Sequence, residues 1–104
     1  DALELKALLD QKAEDLVLLD CREPKERAVA TIEPSLFIPM RETPGRLAEL
    51  GNFREHQLVV YCHAGMRSLR VTQFLRQQGF LRAQNLTGGI EAWSLQVDPT
   101  VPRY

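Results

Sequence analysis

With only two cysteines, two histidines and a formal net charge of −1, this 104-residue sequence lacks the raw material for several common functions. Two cysteines are too few for a disulfide framework, and no Cys/His spacing resembles a zinc site. A charge this close to neutral supplies no basic surface for nucleic acid. No apolar run approaches the roughly 18 residues of a membrane span, so no membrane association is expected. No signal peptide is visible, and a reduced cytoplasmic setting is the expectation. Internal repeats and low-complexity tracts are missing, and no motif calls for a metal or organic cofactor. What is present is ordinary for a globular protein: 44% hydrophobic and 26% charged residues, in a length that suits one domain over residues 1–104.

The informative stretch is Val59-Val60-Tyr61-Cys62-His63-Ala64-Gly65-Met66-Arg67-Ser68. A β-branched apolar run stops at a cysteine, a short loop with one glycine follows, and a helical pattern begins. A strand–loop–helix junction turns backbone N–H groups into the loop, and the helix N-terminus adds partial positive charge. Cys62 at the start of that loop and Arg67 near its end predict a thiolate in an electropositive bowl. Such a setting lowers a cysteine pKa from about 8.5 toward roughly 4–7, and the thiolate is the nucleophile. The competing reading, an inert cysteine packed in the core, is the usual one for an isolated cysteine. The strand end, the Gly65 turn and the Arg67-Ser68 pair entering a helix argue against it here.

These residues resemble the active-site loop of the rhodanese family, whose usual form is Cys-Arg-x-Gly-x-Arg-Ser. The resemblance extends to Leu16-Val17-Leu18-Leu19-Asp20-Cys21-Arg22-Glu23-Pro24, to Phe37-Ile38-Pro39, and to Asn85-Leu86-Thr87-Gly88-Gly89-Ile90-Glu91-Ala92-Trp93. The segments follow in the family order and span nearly the whole chain.

Read in order, Leu5, Leu8 and Leu9 mark one face of a helix over residues 1–12, capped by Asp1. Leu16 to Leu19 is an apolar run without alternation, as for a strand covered on both faces. Pro24 opens a short helix. Leu36 to Ile38 is a third apolar segment, and Pro44 to Leu50 a helix ended by Gly51-Asn52. Leu58 to Tyr61 is the strand that delivers Cys62. Arg67 to Gln78 is the longest helix, its buried side built from Leu69, Val71, Phe74 and Leu75, and Gly79 stops it. A strand over Ala83 to Leu86, a Gly88-Gly89 turn, a helix over Ile90 to Leu95 and an extended tail complete the chain. The alternation implies an α/β fold: a mainly parallel central sheet of four to five strands with helices on both faces, as in rhodanese. The family's strand before the first helix has almost no room here. Ligands bind such sheets at the carboxyl ends of the strands, which is where the Cys62 loop and the Asp20-Cys21-Arg22 turn both fall.

Loop length separates two chemistries. Arg67 is five positions after Cys62. Cysteine-based phosphatases place their arginine one position later, where this chain has Ser68, and the shorter rhodanese loop fits a sulfur atom rather than a phosphate. The resemblance therefore implies a sulfurtransferase. Cys62 attacks the sulfane sulfur of a donor such as thiosulfate, carries it as a persulfide, and passes it to cyanide, a thiol or a protein carboxy-terminus. Two half-reactions through a covalent intermediate predict ping-pong kinetics. N–H groups from His63 through Ala64, Gly65, Met66 and Arg67 to Ser68 are expected to hold the persulfide. Arg67 is expected to order the loop and attract an anionic donor, with a purely structural salt bridge as the alternative or an added role. Ser68 is expected to cap the helix, the alternative being direct contact with the sulfur, and Gly65 to serve the backbone. His63 replaces the family's usual arginine; it either steers substrate or tunes the thiolate, or else points to solvent, and the lost fixed charge favours a protein persulfide or bulkier thiol as donor. Asp20 and Arg22 are expected to fix their turn. Cys21 is expected to be a small core residue, or else a resolving thiol that captures the Cys62 persulfide as a disulfide. Trp93 is expected to anchor packing and His56 to sit in an exposed loop.

The ending through Asp98-Pro99-Thr100-Val101-Pro102-Arg103-Tyr104 is similar to rhodanese domains fused to ubiquitin-activating-like adenylyltransferases. Those relatives pass sulfur to small ubiquitin-like carrier proteins, which makes such a carrier a candidate partner. Two other readings stand beside the sulfurtransferase: a non-catalytic rhodanese-like binding module, and a small cysteine-based phosphatase or arsenate reductase.

Overall fold

A computed structural model describes residues 1–104. Four parallel strands form one sheet in the order β2-β1-β3-β4: β1 Leu16–Asp20, β2 Leu36–Phe37, β3 Gln57–Tyr61 and β4 Ala83–Asn85. Leu16 pairs with Gln57 and Asp20 with Tyr61, so β1 and β3 are in step along their whole length. Because side chains alternate across a strand, this register sorts two cores onto the two faces. On one face Leu19 and Cys21 meet Leu58, Val60 and Cys62, and are covered by Val71 and Leu75 of α3 (Met66–Gln77) and by Phe80 and Leu50. On the other, Leu18, Val59 and Tyr61 are covered by Ala2 and Leu5 of α1 (Ala2–Asp10) and by Ile90 and Trp93 of α4 (Gly89–Gln96). A fully buried Leu or Phe contributes about 1.5–3 kcal/mol, so these two layers hold β3, and with it Cys62, in place.

Local chemistry explains most boundaries. Asp1 caps α1 in a capping box with Glu4. Pro24 starts the short helix α2 (Pro24–Val29). Gly65 and Gly88, with φ of 105° and 84°, sit immediately before α3 and α4, where other residues would be strained.

Four expectations are revised. The segment after Pro44 is 3₁₀ rather than α-helical; it breaks at Arg46 and continues past Gly51 to Phe53. The buried stripe of α3 is Ser68, Val71, Thr72 and Leu75, while Leu69 is 39% exposed. Two polar residues occupy the core-facing phase because Ser68 faces the sulfur loop and the Thr72 hydroxyl bonds the Ser68 carbonyl at 2.8 Å. His56 is half-buried and edge-on to Phe53 rather than exposed. The tail does not run on as an extended chain. Val97 and Asp98 N–H groups both bond the Trp93 carbonyl, Ser94 Oγ bonds the Val101 carbonyl, and the last residue returns to the end of β1. Trp93, as expected, is buried packing. No helix is long and apolar enough to cross a membrane.

Candidate active site

Strand β3 ends at Tyr61, and Cys62 is the first residue beyond it. Its side chain is 1% exposed, yet its surroundings are not those of an inert core thiol. The Gly65 N–H points at Cys62 Sγ from 3.1 Å and the Ser68 N–H from 3.4 Å, with Ser68 Oγ 3.3 Å away. Burial alone would raise the thiol pKa. The Ser68 hydroxyl and the N–H groups of Ser68, Gly65 and Ala64 outweigh it and bring the pKa below the ordinary cysteine value. The left-handed Gly65 is what turns these donors inward. Its Cα is also hemmed in by Gly88 N, 3.2 Å from where a Cβ would stand. Gly89 is tighter still: a Cβ there would fall 2.5 Å from the Cys62 and His63 carbonyls, which the start of α4 clasps through Ile90 and Glu91 N–H groups.

Ser68 is not the helix cap. Helix α3 begins one residue earlier than the expected Arg67, Gly65 occupies the cap position, and Ser68 lies inside the first turn. Its hydroxyl has one proton to share between Cys62 Sγ and Asn85 Oδ1, and Asn85 in turn donates to the Gly65 carbonyl at 3.2 Å. That single proton serves either the sulfur or the amide oxygen, not both at once.

Arg67 is paired. Its two terminal nitrogens hold Glu26 of α2 in a fork at 2.7 and 2.8 Å. That pairing, strongest among the causes, brings the Glu26 carboxyl down to about 2, and it raises Arg67 in return. Glu26 also accepts the Glu23 N–H and the Tyr104 hydroxyl, at 3.0 and 2.8 Å. Two exposed arginines near the loop also have acidic partners. Arg41 contacts Glu23, Arg103 contacts Glu91 at 2.6 Å, and His63 Nε2 faces Glu91 at 3.5 Å. His63 stacks edge-on against Tyr104, ring centroids 4.3 Å apart, so it packs under the tail rather than pointing into solvent. Ala64 and Met66 lie on the outside of the loop, Met66 at 69% exposure.

The second strand-end turn is saturated. Asp20 and Arg22 are wholly buried, and Asp20 accepts the Arg22 backbone N–H, Nε and Nη2 at 2.8–3.0 Å and Arg27 Nη1 at 3.1 Å. Arg22 goes on to the Ala30 carbonyl and the Tyr104 hydroxyl. Beside them, Cys21 Sγ donates to the Tyr61 carbonyl at 3.4 Å. Burial first, then the charge of Cys62, push the Cys21 thiol up to about 12. Asp20 and Arg22 thus brace the turn, and Cys21 is buried beside them. The residues that sequence reasoning missed are Glu26, Asn85, Glu91 and Tyr104. The signal for Glu26 was an acidic residue in the first turn of a proline-opened helix at a strand end; Tyr104 had none.

A sequence profile of the rhodanese-like domain matches residues 1–96. The chain belongs to the rhodanese-like domain family. It is 41% identical over 88 residues to a protein named sulfurtransferase from Allochromatium vinosum, covering 85% of this chain and 80% of that one. It is 36% identical over 115 residues to the adenylyltransferase and sulfurtransferase MOCS3 of Arabidopsis thaliana, covering 97% of this chain but only 25% of that protein. The solved rhodanese-related protein of Thermoplasma volcanium superposes with a TM-score of 0.83 at 30% identity, over 99% of this chain and 95% of that one. The match bears out the rhodanese fold and, at the level of activity class, sulfur transfer.

Proposed function

We propose that this rhodanese-like domain forms a persulfide on Cys62 and passes its outer sulfur to a thiophilic acceptor. The reading rests above all on one observation: a buried cysteine sulfur met by two inward N–H groups and a hydroxyl within 3.4 Å. The thiolate attacks the sulfane sulfur of a donor, and the donor's remaining sulfur leaves with the bonding pair, as in thiol–disulfide exchange. The terminal sulfur of the persulfide is anionic, and the Gly65 and Ser68 N–H groups with the Ser68 hydroxyl, which already face Cys62 Sγ, are the donors that would hold it. Attack on the outer sulfur by an acceptor thiolate or cyanide then releases the Cys62 thiolate. With a protein carboxy-terminus the roles reverse: the persulfide's outer sulfur attacks a carboxy-terminus activated as an acyl adenylate, the nucleotide leaves, and a thiol reductant cleaves the acyl disulfide to thiocarboxylate and Cys62.

The donor is a protein persulfide or bulkier thiol persulfide in preference to thiosulfate. Arg67 and its neighbours are paired to Glu26, Glu23 and Glu91, so the loop offers a dianion little uncompensated positive charge. The likeness to MOCS3, a fusion by its name, supports a small ubiquitin-like carrier protein as acceptor. Intact mass after incubation with thiosulfate and with a cysteine persulfide tests the proposal, together with turnover of an aryl phosphate. One added sulfur on Cys62, with higher kcat/KM for the persulfide donor, is expected. Phosphate release that depends on Cys62 favours the phosphatase reading; neither signal leaves a binding module.

A further inference from the structure

The chain has only two cysteines, and the fold brings them together. The β1–β3 register runs in step to Asp20 and Tyr61, and the Cys21 N–H continues the ladder to the Tyr61 carbonyl at 3.1 Å. One step further, Cys21 stands beside Cys62. Alternation puts both side chains on the α3 face, in the same buried cluster. Neighbouring strands lie about 4.8 Å apart, which falls inside the roughly 4.4–6.8 Å Cα separation of disulfides. The transfer mechanism leaves Cys21 unused, and both thiols are reduced.

We propose a second activity, resting on the persulfide reading: release of sulfide by Cys21 when no acceptor arrives. Cys21 Sγ attacks the inner sulfur of the Cys62 persulfide. The new bond is Cys21 Sγ–Cys62 Sγ, and the bond broken joins Cys62 Sγ to the outer sulfur. The outer sulfur leaves with the electron pair, takes the Cys21 proton and departs as hydrosulfide. It is reduced from the sulfane level while the two cysteine sulfurs are oxidised to a disulfide. A dithiol reductant of the thioredoxin class, or excess small thiol, then supplies two electrons and returns the enzyme to its starting state. The high pKa of Cys21 makes this path slow, because little thiolate is present, and leaves transfer to a real acceptor to win when one is bound.

The test loads the full chain with a cysteine persulfide, removes the donor, and follows sulfide release and a non-reduced peptide digest. The parent should release about one sulfide per persulfide and accumulate a Cys21–Cys62 disulfide. Cys21→Ser, which keeps the size and the bond to Tyr61, and Cys21→Val should both hold the persulfide at least about tenfold longer. Equal sulfide release from parent and variants, or release without the disulfide, overturns the second activity and leaves the first intact. A protein that takes up no sulfur at all overturns both.

Discussion

Two turns at the same edge of one sheet carry a cysteine apiece, and the two cysteines are equally buried at 1% exposure. Their chemistry nevertheless points in opposite directions. Cys62 is surrounded by groups that donate, and its pKa is lowered; Cys21 faces a carbonyl that accepts, and its pKa is raised to about 12. The neighbouring charges differ in the same way. Arg22 is locked to a wholly buried Asp20, whereas the cation of the Cys62 loop is held at the rim by a carboxylate from another helix. Depth therefore does not decide reactivity here. The sign of the hydrogen-bonding partners does, and a left-handed glycine three residues after Cys62 is what supplies the donors.

Removing each thiol is the sharpest way to break this contrast. Cys62→Ala should lower sulfur transfer by at least about a thousandfold, as loss of a nucleophile does, while Cys21→Val stays within about twofold in steady-state assays with ample acceptor. Next in size is the saturated turn. Asp20→Ala leaves the buried Arg22 without its counter-charge and should cost about 3–5 kcal/mol, read from the urea midpoint, with most of the loss in stability rather than in chemistry.

A smaller effect should follow Ser68→Ala, which removes one donor from the sulfur and keeps the backbone N–H. The Cys62 pKa should rise and kcat/KM at neutral pH fall by about tenfold, with the loss shrinking as pH is raised. Glu26→Gln frees the loop cation. It should raise kcat/KM for thiosulfate by about fivefold and leave an uncharged donor unchanged, as expected of one uncompensated charge near an anion site. In the parent, the Glu26 carboxyl is held at about 2 against an ordinary 4.5. Its contribution to stability is thus complete above pH 4.5 and lost as the pH falls through about 2. Denaturation of parent and Glu26→Gln should differ by a constant amount above that window and converge below it.

The loop and its flanking elements were legible in the sequence because they are local. The β-branched run into Cys62, the glycine, and the helical pattern after it lie within one short stretch. The two-faced burial of β1 and β3 showed in runs without alternation. What was hidden depends on contacts across the chain. Glu26 reaches Arg67 across 41 positions and Tyr104 reaches Glu26 across 78; the helix start marks Glu26 as acidic but not its partner, and no local pattern marks Tyr104. Leu69 was misread because hydrophobicity was taken to mark the inner face of α3. That phase belongs instead to Ser68 and Thr72, polar residues buried for what they bond.

The most direct test of the account is the thiolate ultraviolet absorbance of Cys21→Val and Cys62→Ser, titrated with pH in native buffer. Cys21→Val should show a thiolate forming below the ordinary cysteine range, and Cys62→Ser none until far above it. A Cys62 that ionises no more readily than a free cysteine, or a Cys21 that ionises alongside it, would contradict the claim that inward donors, not depth, make the nucleophile.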